Sequence, residues 1–424
     1  MPFKTMKKFF ILFLVNAFLL NYSLLYSSEA LPLDSLIKEA KEKNPGILAA
    51  KKNWEASLTR VPQAKSLESP TIGFTFMKIP KGTLKLDKTI SEDRMLSISQ
   101  FLPLFGKLSL KGKIALVESQ MFAAEYRNKE LEIINEVKNA YYDLFMNYKE
   151  IELNEQSLKF LVGIAKIAEA KYIVGEISQE EIFKINLEIA SLSNNIANLR
   201  QEQLAKITRI NALLNRDPES PLVIAELQED ASFNIDITYL YKLTLVNQPE
   251  LLIFSYAIER NKYAKSLAER NYLPDLMAQI ALRGFTGGIG PWDLMLGFTL
   301  PFWFWTKQRY EVKEAIANID EANAAYQAMK NRSLSETKDL ATKVEIAKNK
   351  IKLYKTNLIP ILESSIESSL AGFRSGRGDF MMILDNERML IETKMDYYKS
   401  LVEYNTNLAD LERTVGIDLK GVIK

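Results

Sequence analysis

The chain has 424 residues and nearly balances its charges, with 55 Lys and Arg against 53 Asp and Glu, and it contains no histidine and no cysteine. The near-neutral balance argues against a nucleic-acid partner. The missing cysteine excludes disulfides, thiolate metal sites, cysteine nucleophiles and a lipidated N-terminal cysteine. Without histidine the commonest acid–base group and metal ligand is absent too, so the composition speaks against an enzyme, a bound cofactor or a dedicated metal site.

Residues 1–30 carry Lys4, Lys7 and Lys8, the apolar run FFILFLVNAFLLNYSLLY, and then Ser28-Glu29-Ala30. This is the three-part layout of a cleaved secretory signal; the competing reading is a retained N-terminal anchor. Asn16 and Asn21 interrupt the run, and no stop-transfer flank follows it. No other apolar run is long enough for a spanning helix, so a mature form resident in a membrane crosses it as β-structure.

Residues 34–65 read as helical with a break at Pro45. The period then changes from 3.6 to 2. Ile72, Phe74 and Phe76 alternate with Thr71, Gly73 and Thr75, and Leu96 and Ile98 alternate with Ser97 and Ser99. This predicts a β-hairpin over about 71–102 with one apolar and one polar face. A helix over 108–171 follows, with Ile133, Val137, Tyr141, Leu144, Tyr148 and Ile151 on one face. At 1.5 Å per residue it reaches about 95 Å. After a tip at Gly175, a return helix runs over 178–214.

Residues 217–235, richer in Pro, Asp and Glu, read as a connector, after which the landmarks recur. Asn44-Pro45 and Ser69-Pro70 match Gln248-Pro249 and Leu273-Pro274 at an offset of 204, and Phe101-Leu-Pro103 matches Thr299-Leu-Pro301 at 198. The tip Tyr172-Ile-Val-Gly175-Glu-Ile-Ser178 matches Phe373-Arg-Ser-Gly376-Arg-Gly-Asp379 at 201, which places Asn215 opposite Gly416. The chain is therefore read as an internal duplication, with repeats over 31–216 and 236–424.

In the second repeat a hairpin is expected over about 276–301. Ala278, Ile280 and Leu282 alternate on its first strand, and Leu294, Leu296, Phe298 and Leu300 on its second. Trp292 stands at one end of that last strand, and Phe302, Trp303, Phe304 and Trp305 at the other. Such bracketing suits a membrane β-strand with interfacial aromatics. A long helix over 307–373, with Pro360 as its kink or register change, leads to the second tip. The last helix has Ile383, Leu390, Tyr397, Leu401, Tyr404, Leu408, Leu411 and Val415 on one seam, in coiled-coil spacing from Tyr397 on. Four strands cannot close a membrane barrel, so several chains must share one.

Three short motifs carry less. Arg377-Gly-Asp379 matches a cell-adhesion tripeptide of a kind common by chance. The glycine-rich 287–291 joins two strands and opens no helix, so it is no phosphate loop. Met381-Met382 reads as packing in preference to soft-metal contact.

The Leu-Pro-Leu-Phe-Gly-Lys segment (102–107) with its counterpart Leu-Pro-Phe-Trp (300–303), the Asn/Gln-Pro helices and both tips resemble the TolC family of outer-membrane efflux proteins, which includes CzcC-like and CusC-like channels. The resemblance covers the whole mature chain. It implies a mainly α fold with a small β part, in which strand hairpins alternate with long helical hairpins. It also implies a homotrimer in outer-membrane lipid, with a twelve-stranded β-barrel continuous with a periplasmic α-helical barrel. The partners it implies are a periplasmic adaptor (membrane fusion) protein and an inner-membrane RND or ABC transporter, for which the trimer is a passive exit duct. Aligned tip to tip, Asp385 falls on the family's ring-forming acidic position at the pore constriction. Glu181, preceded by Glu180, falls on the acidic position of the first hairpin. By the internal offset Lys184 lies opposite Asp385, so the acids sit at different depths. Where some relatives carry a gate arginine, this chain has Gly378.

Tyr172, Gly175, Ser178, Phe373, Gly376 and Asp379 are the expected adaptor-docking tips, and Trp292, Phe302, Trp303 and Trp305 the expected membrane-interface aromatics. An alternative from another class is a periplasmic coiled-coil structural or adaptor protein held by an uncleaved N-terminus. It leaves the two alternating hairpins unexplained. A carboxylate enzyme lacks any convergent constellation to support it.

Overall fold

A computed structural model describes residues 30–79, 81–82, 94–227, 236–284, 290–375 and 380–419. The signal-like segment, the tip residues Gly376, Gly378 and Asp379, the glycine-rich 287–289 and the end of the connector lie outside these residues. The first half runs α1 (Leu33–Lys43), α2 (Pro45–Lys65), β1 (Thr71–Phe76), β2 (Arg94–Leu102), α3 (Lys107–Ile173) and α4 (Gln179–Leu213). The second half runs α5 (Ile237–Asn247), α6 (Pro249–Arg270), β3 (Asp275–Arg283), β4 (Trp292–Thr299), α7 (Gln308–Leu353), a π-helical turn (Tyr354–Leu358), α8 (Ile359–Arg374) and α9 (Phe380–Val415). The element order is the same in both halves.

The 67 residues of α3 are matched by the 46, 5 and 16 of α7, the π-turn and α8. The interruption has a local cause. Pro360 has no N–H, and its ring would collide with the Thr356 carbonyl in regular α-geometry. The wider π-turn takes up that conflict directly before it, and the helix resumes with Pro360 in its first turn.

Two compact units divide the chain and cut across the repeats, so each half contributes to both. One unit gathers 46–131, 235–339 and 412–424. It contains a single antiparallel sheet in the order β1-β2-β3-β4, in which the two hairpins lie side by side. The register aligns Ile72, Ile98, Ile280 and Leu294 in one row, and Phe74, Leu96, Leu282 and Trp292 in the next. Side chains alternate along a strand, so these rows share one face, together with Leu276, Leu296 and Phe298. The row between them is Gly73, Ser97, Ala281 and Asp293, on the opposite face. Ser97 and Ala281 are buried there, and an added Cβ on Gly73 would stand 2.9 Å from Ser97 Oγ. Small side chains in register let the sheet curl towards this face.

The strand-to-helix junctions in this unit are tied by one carboxylate. Asp275, the first residue of β3, accepts Lys107 Nζ at 2.8 Å and the Leu104 amide at 3.1 Å, while Lys107 also donates to the Leu273 carbonyl at 2.9 Å. The Lys107 side chain is only 7% exposed. An ion pair this sheltered makes the loss of either partner costly. At the end of α9, Gly416 takes φ +87°, and a Cβ there would come 2.4 Å from the Asn247 carbonyl oxygen. Left-handed geometry and close backbone approach both require glycine at this position.

The other unit gathers 1–45, 132–234 and 340–411 and is a pair of helical hairpins. α3 and α4 run antiparallel, joined by Lys206–Asp143 at 2.6 Å, Asn147 Nδ2 donating to the Leu199 carbonyl at 3.1 Å, and Asn195 Nδ2 donating to Asn154 Oδ1 at 3.2 Å. α8 and α9 do the same through Asn386 Nδ2 to Ser369 Oγ at 2.7 Å and Lys394–Glu363 at 2.8 Å. All eight residues of the expected α9 seam are buried. The connector, as far as it is described, lies on this unit. Asn211 Nδ2 donates to the Pro218 and Ser220 carbonyls, and Tyr141 Oη donates to the Ala225 carbonyl at 2.7 Å. Asn215, as expected opposite Gly416, has φ +54°.

Candidate pore gate and membrane face

The tip of the helical unit is built around aromatic and aliphatic side chains. Leu161, Ile164, Ala165 and Ala168 of α3, Ile185 of α4, Phe373 of α8, and Phe380, Ile383 and Leu384 of α9 form one buried cluster. The Phe373 and Phe380 rings meet at a tilt of 50° with centroids 5.8 Å apart, and Lys171 Nζ lies 5.1 Å from the Phe373 centroid. Phe373, expected among the docking residues, is 2% exposed. Its ring closes the tip core instead of facing a partner. That is a correction to the sequence reading.

The first tip turns at Gly175, φ +77°, leaving Tyr172 exposed along with Ile173 and Val174. Ser178 is the N-cap of α4 and forms a capping box with Glu181. The Glu181 amide donates to Ser178 Oγ at 3.4 Å, and the Ser178 amide donates to Glu181 Oε2 at 2.7 Å. The carboxylate of Glu181 is thus engaged in starting its own helix. Glu180 pairs with Lys184 at 2.7 Å, and that lysine holds the Glu180 carboxyl below its usual range.

Asp385 lies exposed on α9, two residues before Glu387. Glu387 is buried, and burial raises its carboxyl above the ordinary value while a hydrogen bond with Ser157 works in the opposite direction. The structure therefore places the three acids in three settings: Asp385 open, Glu180 paired with a lysine, and Glu181 capping a helix. Arg388 and Glu188 meet at 3.2 Å, linking α9 to α4. Sequence reasoning missed this pair and the buried Glu387. The signal for Glu387 was a carboxylate three residues before the seam residue Leu390, where the helical repeat turns inward.

In the sheet unit the alternating apolar residues lie open on one face. Leu294, Leu296 and Phe298 are 55, 57 and 60% exposed, and Ile72, Phe74, Ile98, Ile280, Leu282 and Trp292 are exposed on the same face. A contiguous apolar face of this size left open on a monomer marks a contact with lipid or another protein. The opposite face carries Thr71, Thr75, Ser99, Gln279 and the Arg283–Asp293 pair at 2.6 Å. Phe302, Trp303 and Trp305 are exposed beyond β4. Trp303 and Trp305 meet edge to face at 5.9 Å, and Phe304 lies 5.0 Å from Trp305. Among the described residues no helix is long and apolar enough to cross a membrane.

A two-faced four-stranded sheet and long helical hairpins are the two parts of this fold. Residues 36–216 match the family model described as outer membrane efflux protein. A relative named cobalt-zinc-cadmium resistance protein CzcC, from Cupriavidus metallidurans, is 20% identical over 392 residues, covering 91% of this chain and 90% of that protein. The solved structure of VceC from Vibrio cholerae superposes with a TM-score of 0.76 at 16% identity, covering 91% of this chain and 96% of that one. The open state of the MtrE channel from Neisseria gonorrhoeae gives 0.75 at 17% identity, covering 91% and 89%. Residues 36–216 thus carry the outer membrane efflux protein pattern, and the fold is similar to that of the solved channels.

Proposed function

We propose that three copies of this chain form one duct, with four strands from each closing a twelve-stranded barrel in the outer membrane and the helical hairpins lining a periplasmic tunnel. The observation that carries this reading is the sheet itself. Its apolar face is aligned in register and open, its other face is polar, and among the described residues no further strand pairs with β1 or β4 on their outer sides. A single open four-stranded sheet leaves two edges unsatisfied in lipid, where unpaired backbone groups are not tolerated. Pairing β4 of one copy with β1 of the next removes every edge. A periplasmic coiled-coil protein gives no reason for such a face.

The tips are the adaptor-docking ends. Tyr172, Gly175 and Ser178 contribute from the first hairpin, and Gly376 and Asp379 from the second; Phe373 supports them from the core. An inner-membrane RND or ABC transporter supplies the energy. Three copies of Asp385 form a ring of negative charge that admits cations and disfavours anions. Glu180 and Glu181 are secondary to it because their carboxylates already have partners. One relative is named for cobalt, zinc and cadmium resistance. With no histidine or cysteine in this chain, selection of cargo is assigned to the pump.

The absence of native cysteine supplies the test. Single cysteines scanned along β1 and β4 in pairs should give covalent dimers and trimers on mild oxidation in outer-membrane preparations. Monomers alone from every pair, in folded protein, would defeat the shared barrel.

A further inference from the structure

Four connections between helices and strands meet at one end of the sheet, where Asp275 and Lys107 bind residues 102–107 to the start of β3 and Arg270 donates to the Phe105 carbonyl. Around them Phe105, Tyr272, Leu273, Phe302, Trp303 and Trp305 are exposed, and the rings of Tyr272 and Phe304 lie 6.4 Å apart. The opposite end of the sheet offers Trp292 from β4. The two ends therefore differ.

The helices leaving the aromatic end begin with basic residues. α3 opens with Lys107, Lys111 and Lys113 and has no acid in its first turn. Lys307 and Arg309 stand at the start of α7, exposed, and Lys313 follows one turn on. Lys65 closes α2, its stem against Gly112 of α3. Positive charge in the first turn of a helix runs against the helix dipole, so local helix stability does not explain Lys307 or Arg309. Glu311, the acid in the first turn of α7, is held by Asn271 Nδ2 at 3.1 Å and does not cancel them by pairing.

We infer that this end of the sheet unit is a binding site for anionic glycerophospholipid headgroups, with Phe302, Trp303 and Trp305 in the acyl–headgroup boundary and Lys307, Arg309 and Lys111 on the phosphates. The inference rests on the membrane placement of the sheet proposed above and adds a lipid preference to it. Indole rings favour the interface because one edge is polar and the body apolar. Basic residues set immediately beyond such rings meet the headgroup layer, and their attraction is selective for negative charge.

The test uses the full chain purified in a neutral detergent and titrated with phosphatidylglycerol or phosphatidylcholine, read by bound-lipid mass and by thermal stability. Insertion into phosphatidylcholine vesicles is measured in parallel. Phosphatidylglycerol should bind selectively, and Lys307→Gln with Arg309→Gln should weaken it by about fivefold per residue at low salt. Lys51→Gln, at the far end of α2, should leave binding unchanged. Equal retention of both lipids by the parent chain, or undiminished selectivity in the double variant, would overturn the inference while leaving vesicle insertion intact. Loss of insertion itself would count against the membrane placement. A double variant that changes oligomer mass without changing lipid binding would assign these residues to contact with a second copy.

Discussion

The sheet and the hairpin tip hold similar amounts of large apolar side chain but point them in opposite directions. In the sheet Leu294, Leu296 and Phe298 face outward, while at the tip Phe373, Phe380 and Ile383 are at most 2% exposed. A Leu or Phe side chain gains about 1.5–3 kcal/mol from full burial, so a row of them left open in water is strongly unfavourable. The tip meets this demand within the chain, whereas the sheet leaves it to its surroundings. The tip is thus built for water, and the open face of the sheet for contact with an apolar surface. Charge follows the same division: Asp385 is exposed at the tip unit, whereas the outward face of the sheet carries Arg94, at the start of β2, as its charged residue among the described strands.

The comparison can be broken from either side. The largest effects, about 3–5 kcal/mol each, should come from Phe380→Ala in the tip core and Asp275→Asn at the sheet junction. The first should speed amide exchange in α8 and α9 and leave the sheet protected. The second should expose the junction around residues 102–107 and leave the tip protected. Equal loss in both units from either change would mean that they do not behave separately. Next, Leu296→Arg should cost about 2–4 kcal/mol in the membrane and reduce the heat-modifiable outer-membrane form. Met295→Arg, on the polar face of the same strand, should be tolerated. Equal behaviour of the two variants would remove the distinction between the faces.

The smallest effect, about 1 kcal/mol, sharpens the tip side and depends on pH. Burial raises Glu387 above its ordinary value of 4.5, so its contribution to stability is present below that value and is lost as pH rises through the raised one. Glu39 is opposite. The Arg216 guanidinium lowers it, so its contribution is present above 4.5 and is lost as pH falls through the depressed value. Glu387→Gln should therefore stabilise the helical unit at neutral pH and flatten its loss between mildly acid and neutral conditions. Urea unfolding of the variant across that range checks the sign. A parallel shift at every pH would assign Glu387 a role independent of titration.

Much of this was readable from periodicity. The period of two placed all four strands, and the seam from Ile383 to Val415 was buried throughout. Prolines and glycines marked the breaks, down to the π-turn before Pro360. The misses have a common cause: they concern which of several compatible partners a side chain takes. Phe373 lies beside a turn, and sequence position alone does not separate a ring that closes a core from one that faces outward. Glu181 matched an acidic gate position and equally fitted position N3 of a capping box after Ser178, and the backbone amide took it. The Lys107–Asp275 pair joins residues far apart in sequence, which no local pattern connects.

The central claim is a passive duct with an acidic constriction, and single-channel conductance in a planar bilayer tests it most directly, comparing the parent chain with Asp385→Ala and Glu181→Ala. The account predicts a small, cation-selective conductance that rises, or loses block by divalent cations, in Asp385→Ala and changes little in Glu181→Ala. A stable conductance indifferent to Asp385→Ala would contradict the gate, and folded protein that never inserts would contradict the duct itself.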